Sequence, residues 1–453
     1  MGIALTREQV LALAPDAASA KAATGLLSDS KWETLGVDDE ALWGECKGSG
    51  AKPYQTQVDL TAMVSRCSCP SRKFPCKHGL ALLLLSAQKH ARLLPGERPA
   101  WVSQWMDSRR DKAAKKEQAA AEKPETDPAA AAAASARRET TRWKRIDSGS
   151  AELQRWIADQ FRRGLAQAGP EQQHEWRAMA ARMVDAQAPG LARRVEAAAE
   201  HDALDTTPAQ RHAQRIERLG LLQLINAAVS RRTQLNPARE ADLRIALGWG
   251  HDKDELTAHA DHVDDCWQVL GQCIDDRDAK LSERRVWLRG RHSGRYALVQ
   301  DYAYNGRGWE GLWRDGASCT ATLAFHPGSV PLRAVAGTQT DAASHDWPEI
   351  ALDAAIDQAS TWFATNPWLQ QVPMLIDAGI PTLDGDARWL RTVAGSLPLR
   401  LDTASSWSLL AFSGGHPLRV MGEWDGRALR PLSATLPGDA ARRWTADGIG
   451  SAA

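Results

Sequence analysis

The chain has 453 residues, 43% hydrophobic and 25% charged, the balance of a globular protein with room for roughly three cores at about 150 residues each. Lys+Arg and Asp+Glu both number 56, so no net field draws the whole molecule to nucleic acid or to a charged surface. The longest apolar run, Leu80 to Leu85, falls far short of the roughly 20 residues that span a bilayer, which argues against a membrane helix.

The N-terminus, "MGIALTREQVLALAPDAASA", places Glu8 and a capping pair, Thr6 and Gln9, where a secretory signal has a basic start and an unbroken apolar centre. It reads as a short amphipathic helix of a cytoplasmic protein. The seven cysteines are odd in number; three are crowded and Cys46, Cys266, Cys273 and Cys319 are scattered, which suits a reduced compartment better than a disulfide framework.

"PYQTQVDL" and "MVSRCSC" alternate as two short strands that lead into "CSCPSRKFPCKHGLALLLL". The spacing is C-x-C-x6-C-x-H, at Cys67, Cys69, Cys76 and His78. On a strand, residues two apart face the same side, so Cys67 and Cys69 offer both sulfurs to one place. Cys76 then falls in the loop and His78 in the first turn of the next helix, where the two converge. Four N/S donors make a closed tetrahedral shell, which is structural zinc chemistry with no position open for water or substrate. A disulfide would strand the third cysteine, and a cysteine nucleophile needs a base and an orienting group rather than three thiols. Three thiolates and an imidazole on Zn²⁺ carry a charge of about −1, which Arg66, Arg72, Lys73 and Lys77 can offset; the same four residues form a basic rim that can contact phosphates or a partner. Leu80 and Leu82 to Leu85 cover nearly the whole helix circumference, so the helix must be buried, with Val10, Leu11, Leu13, Trp32, Leu35, Leu42 and Trp43 as its candidate neighbours.

From Thr61 to Lys112 ten Lys/Arg face three Asp/Glu, whereas His251 to Glu283 carries three against ten; the two stretches are solvated faces of opposite sign, and the first is where an anion would be met. Residues 107–140, rich in Ala, Lys and Glu with Pro124 and Pro128, cannot build a core and form a linker, helical at most in its first part. Residues 141–280 read as a helical region, with apolar residues at steps of three and four in "ELQRWIADQFRRGL", "HEWRAMAARMV" and "RIERLGLLQLINAAV". Residues 281–453 shift towards period two in "RRVWLRG", "RYALVQDYAY", "CTATLAF", "PLRLD", "WSLLAF" and "PLRVMGEW", with a turn at His292 to Gly294 and one helix near Trp347 to Phe363. The chain is therefore expected to be α+β: a strand-strand-helix zinc finger module over 1–106, the linker, a helical middle region, and a C-terminal α+β domain with a mostly antiparallel sheet.

Other signals carry less. "GRGWEG" spells a dinucleotide-type glycine pattern but precedes another strand, so it reads as a turn. No P-loop, H-E-x-x-H helix or G-x-S-x-G elbow occurs. His251, His259 and His262, among Asp252, Asp254, Asp261, Asp264 and Asp265, suggest either a second metal site or, more simply, a solvated helix surface; Cys266 and Cys273 read as core thiols. Nineteen tryptophans against five phenylalanines are spread through all segments, as general core residues would be, although a groove of Trp101, Trp105 and Arg109 is conceivable.

The four ligand positions, with "WGECKGSGAKPYQTQVDL" before them and the leucine run behind, resemble a SWIM zinc finger, a family with C-x-C-xn-C-x-H in a strand, strand, helix arrangement. The likeness spans about residues 30–95. It implies a structural zinc without a reaction of its own and binding to DNA or protein; for bacterial members it further implies a protein partner, a MoxR-type AAA+ ATPase or a von Willebrand A-domain protein. The expected function is thus a non-enzymatic adaptor, with nucleic-acid binding through the basic rim as the alternative and an enzyme in the C-terminal domain as a weaker one.

Overall fold

The N-terminal strands form a sheet with an apolar residue set on each face, and each face is covered by a helix. The computed structural model describes residues 7–446 apart from 12, 15–16, 49–51, 62–63, 72–74, 122–127, 166–169, 201–206, 251–255, 257–260, 278–280, 305–308 and 310–312. After two short helices, α1 (Arg7–Leu11) and α2 (Ala17–Thr24), come β1 (Trp32–Val37), β2 (Ala41–Cys46), β3 (Tyr54–Asp59) and β4 (Val64–Cys67). These four pair antiparallel in the order β1-β2-β3-β4, so the expected two strands are half of a larger sheet. Helix α3 (Lys77–Ala87) buries every residue from His78 to Leu85, and its leucines share a core with Val10, Trp32, Leu42 and Val58. Five buried leucines at about 1.5–3 kcal/mol each make this the main apolar contribution of the module. Trp43, expected beside them, faces the other way. It packs under α4 (Ala100–Ala121) with Val102, Trp105 and Met106. Arg98 pairs with Asp38 and Glu40, Arg110 with Glu40, and Arg109 with Asp59, which fastens α4 to the sheet. Trp105 and Arg109 therefore line no groove: the indole is core and the guanidinium sits 5.5 Å from the centre of that ring. The Thr6 cap lies outside the described residues.

The segment expected as a linker is helix on both sides of residues 122–127, because alanine is the strongest helix former and Pro128 suits a first turn. Every helix from α5 to α9 opens on proline: α5 (Pro128–Arg163), α6 (Pro170–Asp185), α7 (Pro189–Ala199), α8 (Pro208–Ser230) and α9 (Pro237–Ala246). α5 through α8 form a bundle around Trp143, Ile146, Leu153, Trp176, Met183, Val195, Leu222 and Ile225, with α9 packed against its end. Gly190 makes that contact possible: its N–H donates to the Leu247 carbonyl at 2.9 Å, and a Cβ there would overlap the Ala246 and Leu247 backbone.

The helical region ends before residue 280. Residues Asp261–Asp276 are a strand, β5, rather than helix, because Val263, Trp267 and Val269 alternate into an apolar interior while the acidic residues find polar partners, Asp261 and Asp264 at the surface and Asp265 buried. Asp264 accepts from Thr322, and Asp261 pairs with Arg295 at 2.7 Å. Asp265 holds the expected turn through the His292 and Ser293 N–H groups at 3.0 and 2.8 Å. β5 pairs with β6 (Leu281–Gly290) and β8 (Ser318–Phe325); β6 pairs with β7 (Tyr296–Tyr304), and β9 (Arg333–Ala336) joins β7 to β8. The five strands close into a ring filled by Trp267, Val286, Leu288, Ala297, Leu323 and Phe325, and β10 (Thr340–Ala342) extends β8. "GRGWEG", expected as a turn, lies outside the described residues apart from residue 309.

A second sheet follows α10 (Leu352–Thr365), made of β11 (Val372–Asp384), β12 (Ala387–Thr392), β13 (Gly395–Pro398), β14 (Leu418–Trp424), β15 (Leu429–Leu436) and β16 (Asp439–Thr445). Its order is β13-β12-β11-β14-β15-β16, antiparallel throughout. "WSLLAF" is not a strand. It belongs to α11 (Thr403–Ser413), capped by Asp402, whose carboxylate accepts from the Ser405 N–H at 2.8 Å. The outward side chains of the ring, Leu270, Trp287 and Leu298, share a core with Leu375, Met421 and Leu432 of this sheet.

Glu423 is the charged hub of that core, accepting from Arg285 at 2.8 and 2.9 Å and from Trp287 and Gln371 at 2.9 Å. Glu423→Ala would remove one of three carboxylates from the buried Arg285 guanidinium and leave the buried Trp287 indole N–H without its acceptor, and is expected to cost about 3–5 kcal/mol, read as a lower urea midpoint for the C-terminal unit. Unchanged unfolding would contradict the assigned role.

Candidate metal centre

The register of the sheet brings the four ligands together. Cys67 ends β4, Cys69 lies two residues on in the loop, and Cys76 is the N-cap of α3 with extended backbone. His78 is the second residue of the helix and buried. One donor atom from each lies within 4.8 Å of the others. The His78 Nδ1 is 3.7 Å from the Cys67 sulfur and 3.9 Å from that of Cys76. Zinc bonds of about 2.3 Å to sulfur and about 2.0–2.1 Å to nitrogen in a tetrahedron place S and N about 3.6 Å apart, so the cluster is already close to the geometry zinc requires.

Hydrogen bonds tune the sulfurs. The Thr56 hydroxyl is 3.1 Å from the Cys67 sulfur across the β3–β4 register, and the Gly79 N–H donates to Cys76 at 3.5 Å. Both stabilise thiolate and orient it for the metal. The Tyr54 ring lies 5.1 Å from that of His78 and shields one side. Burial lowers the His78 imidazole, but hydrogen bonding to the Cys67 and Cys69 sulfurs more than offsets this and brings it up to about 9 before metal binds. In the same cluster Cys69 is held well below the usual thiol range by hydrogen bonds from Cys67 and Cys76, whereas Cys76 is pushed above it by Cys67, Cys69 and burial.

The donor set therefore fits Zn²⁺, with Cys67, Cys69, Cys76 and His78 as its ligands and a structural cross-link as the chemistry it supplies. Arg66 and Lys77 are exposed beside it, while Arg72 and Lys73 lie outside the described residues. The sequence reading missed Thr56, although period-two pairing opposite Cys67 was available as a signal, and it missed Cys46. That cysteine ends β2, fully buried, and burial followed by the Cys67 charge pushes its thiol up to about 11. Lys77 and Lys31 oppose that rise. The Cys46 sulfur is not among the four gathered donors. Of the proposed second cluster, His251, His259, Asp252 and Asp254 lie outside the described residues; the four Cys/His ligands are the one metal-holding group among those described.

With this geometry, two family models match: a SWIM zinc finger over residues 54–86 and a SWIM-associated four-helix bundle domain over residues 141–247. The chain thus carries a SWIM zinc finger together with a SWIM-associated four-helix bundle domain in the region of α5–α9. Comparison with curated proteins and with solved structures gives no match. No helix among the described residues is long and apolar enough to cross a membrane.

Cys76→Ser is expected to lose stoichiometric zinc and loosen residues 1–106 while the C-terminal half stays folded, checked by metal analysis and limited proteolysis; retained zinc would refute the ligand set. Zinc binding at pH 7 must displace ligand protons, His78 and Cys76 being held protonated before the metal binds, so affinity is expected to fall as pH falls. Chelator competition at pH 6, 7 and 8 measures this, and a flat profile would contradict it.

Proposed function

We propose that the protein is a non-enzymatic, cytoplasmic adaptor whose zinc-stapled module holds a macromolecular partner, with protein as the partner class. One observation supports this most: α3 is buried on every side and the zinc shell is completed by protein atoms. A finger that reads DNA with its helix must leave that helix free to enter a groove, and this one has no free face. What the finger offers outward is β4, the loop after it and the first residue of α3, where Arg66 and Lys77 are exposed.

The edges of the sheet differ in a way that supports a protein ligand. The β1 edge is covered: Val37 exchanges hydrogen bonds with Leu94 and Gly96 at 3.2 Å, and Arg92 donates to the Trp32 and Glu33 carbonyls. β4 is the opposite edge, with no further strand among the described residues. An extended peptide adding to β4 would find backbone groups for affinity and the basic rim for specificity. The family resemblance makes a MoxR-type AAA+ ATPase or a von Willebrand A-domain protein the first candidates.

The second reading, nucleic-acid binding through the rim, is favoured by the exposure of Arg66 and Lys77. The two readings separate in one experiment on the full chain. Arg66→Glu/Lys77→Glu, with zinc retained, is expected to lose a protein partner that the wild type retains in pull-downs from the native host. Binding to a DNA duplex that weakens steeply with salt, with no protein retained, would overturn the adaptor reading in favour of the second.

A further inference from the structure

Helix α7 begins "PGLARRV", and its adjacent arginines, Arg193 and Arg194, sit where the bundle meets the C-terminal sheets. There a cavity of about 390 Å³ opens between α7, α9, the outer wall of the strand ring and residues 366–371. That volume is in the range of small-molecule sites, about 300–1,000 Å³. Its parts are held in place independently of any ligand. Asp242 of α9 accepts from the Ser329 N–H at 3.1 Å and from its hydroxyl, and Trp368 packs against the bundle core.

Five arginines line the cavity: Arg193, Arg194, Arg277, Arg285 and Arg333. Two of these are neutralised within the fold, Arg285 by Glu423, Glu283 and Asp275, and Arg277 by Glu283. The other three have no carboxylate partner among the described residues. Arg194 donates to the neutral Trp368 carbonyl at 2.7 Å. Asp242, the one carboxylate in the lining among those residues, is engaged by Ser329 and is pushed towards its neutral form by burial. Arg193 is a repulsive neighbour of Arg194, Arg277 and Arg333 alike. Burial, followed by Arg193, brings Arg194 down to about 10, and burial lowers Arg333 as well. Like charges gathered in a concave, poorly solvated wall cost free energy unless an anion sits among them.

The remaining lining points to the rest of the ligand. Trp249, Trp287, Trp368 and Tyr302 contribute flat aromatic surface. Trp249 is fixed from behind by Trp143 at 5.1 Å and by Arg142 and Arg244 over its ring. The indole nitrogen of Trp368 is buried without an acceptor. Guanidiniums and an indole N–H are donors only, so the ligand they lack is rich in acceptors. Guanidinium forks match phosphate oxygens in pairs, and aromatic walls match a planar ring.

We propose that this cavity binds a phosphate-bearing small molecule of the nucleotide class, with Arg193, Arg194 and Arg333 on the phosphates and the tryptophan wall beside the base. The test is titration of the full chain, followed by tryptophan fluorescence and calorimetry, with ADP, inorganic pyrophosphate and adenosine as probes. ADP is expected to bind saturably and at least 10-fold more tightly than adenosine. Arg193→Gln changes an exposed residue and is expected to weaken ADP at least 10-fold, about one charge-assisted contact, with zinc content and melting unchanged. Arg333→Gln should do the same. Absence of saturable binding of ADP and pyrophosphate up to about 1 mM, or binding indifferent to both substitutions, would overturn the proposal. Pyrophosphate binding as tightly as ADP would overturn the assignment of the ring.

Discussion

The bond between β4 and the start of α3 is made through a metal, and the N-terminal module is organised around it. Cys67 and Cys69 come from a strand end and the loop after it; Cys76 and His78 come from a helix cap and first turn. Besides the leucine packing of α3 on the sheet, the metal is what joins the end of β4 to the start of the helix. Gathering three sulfurs and an imidazole within 4.8 Å is unfavourable until zinc neutralises most of the charge, after which the cluster contributes on the order of 10 kcal/mol of folding free energy. Zinc sets where α3 begins, and the leucines that follow drive it into the sheet. The staple and the core act on the same eleven-residue helix.

The C-terminal half solves a different problem, joining two sheets face to face, and does so with buried ion pairs. Glu423 from the second sheet receives Arg285 and Trp287 from the ring, Arg430 reaches back to Asp275 at 2.9 Å, and Ser433 donates to the Leu270 carbonyl. Such pairs are costly to desolvate and fix register well. They also decide which arginines at the bundle junction are already satisfied and which remain available to a ligand.

Much of this was legible in the sequence where the determinants are neighbours along the chain. The zinc ligands span twelve residues, the leucine run implies a buried helix by itself, and the helices of the bundle carry a clear three-to-four step. Legibility failed where tertiary pairing decides. "WETLGV" and "ALWGEC" show little alternation, because Trp32 and Trp43 serve opposite faces of one sheet. β5 was hidden by aspartates whose partners, Arg295, Thr322 and the 292–293 turn, lie far along the chain. "WSLLAF" has the composition of a strand, and only its Asp402 cap marks it as a helix. The arginine cavity assembles α7, α9, β6, β9 and the 366–371 segment, a set no local pattern could gather.

The four donors of the zinc shell all come from the protein, which makes the finger a scaffold whose helix is buried. Zinc K-edge absorption on the purified full chain tests this most directly. Three sulfurs at about 2.3 Å and one nitrogen at about 2.0–2.1 Å are the expected result. An oxygen ligand, or fewer than three sulfurs, would mean that the site is open and would contradict the central claim.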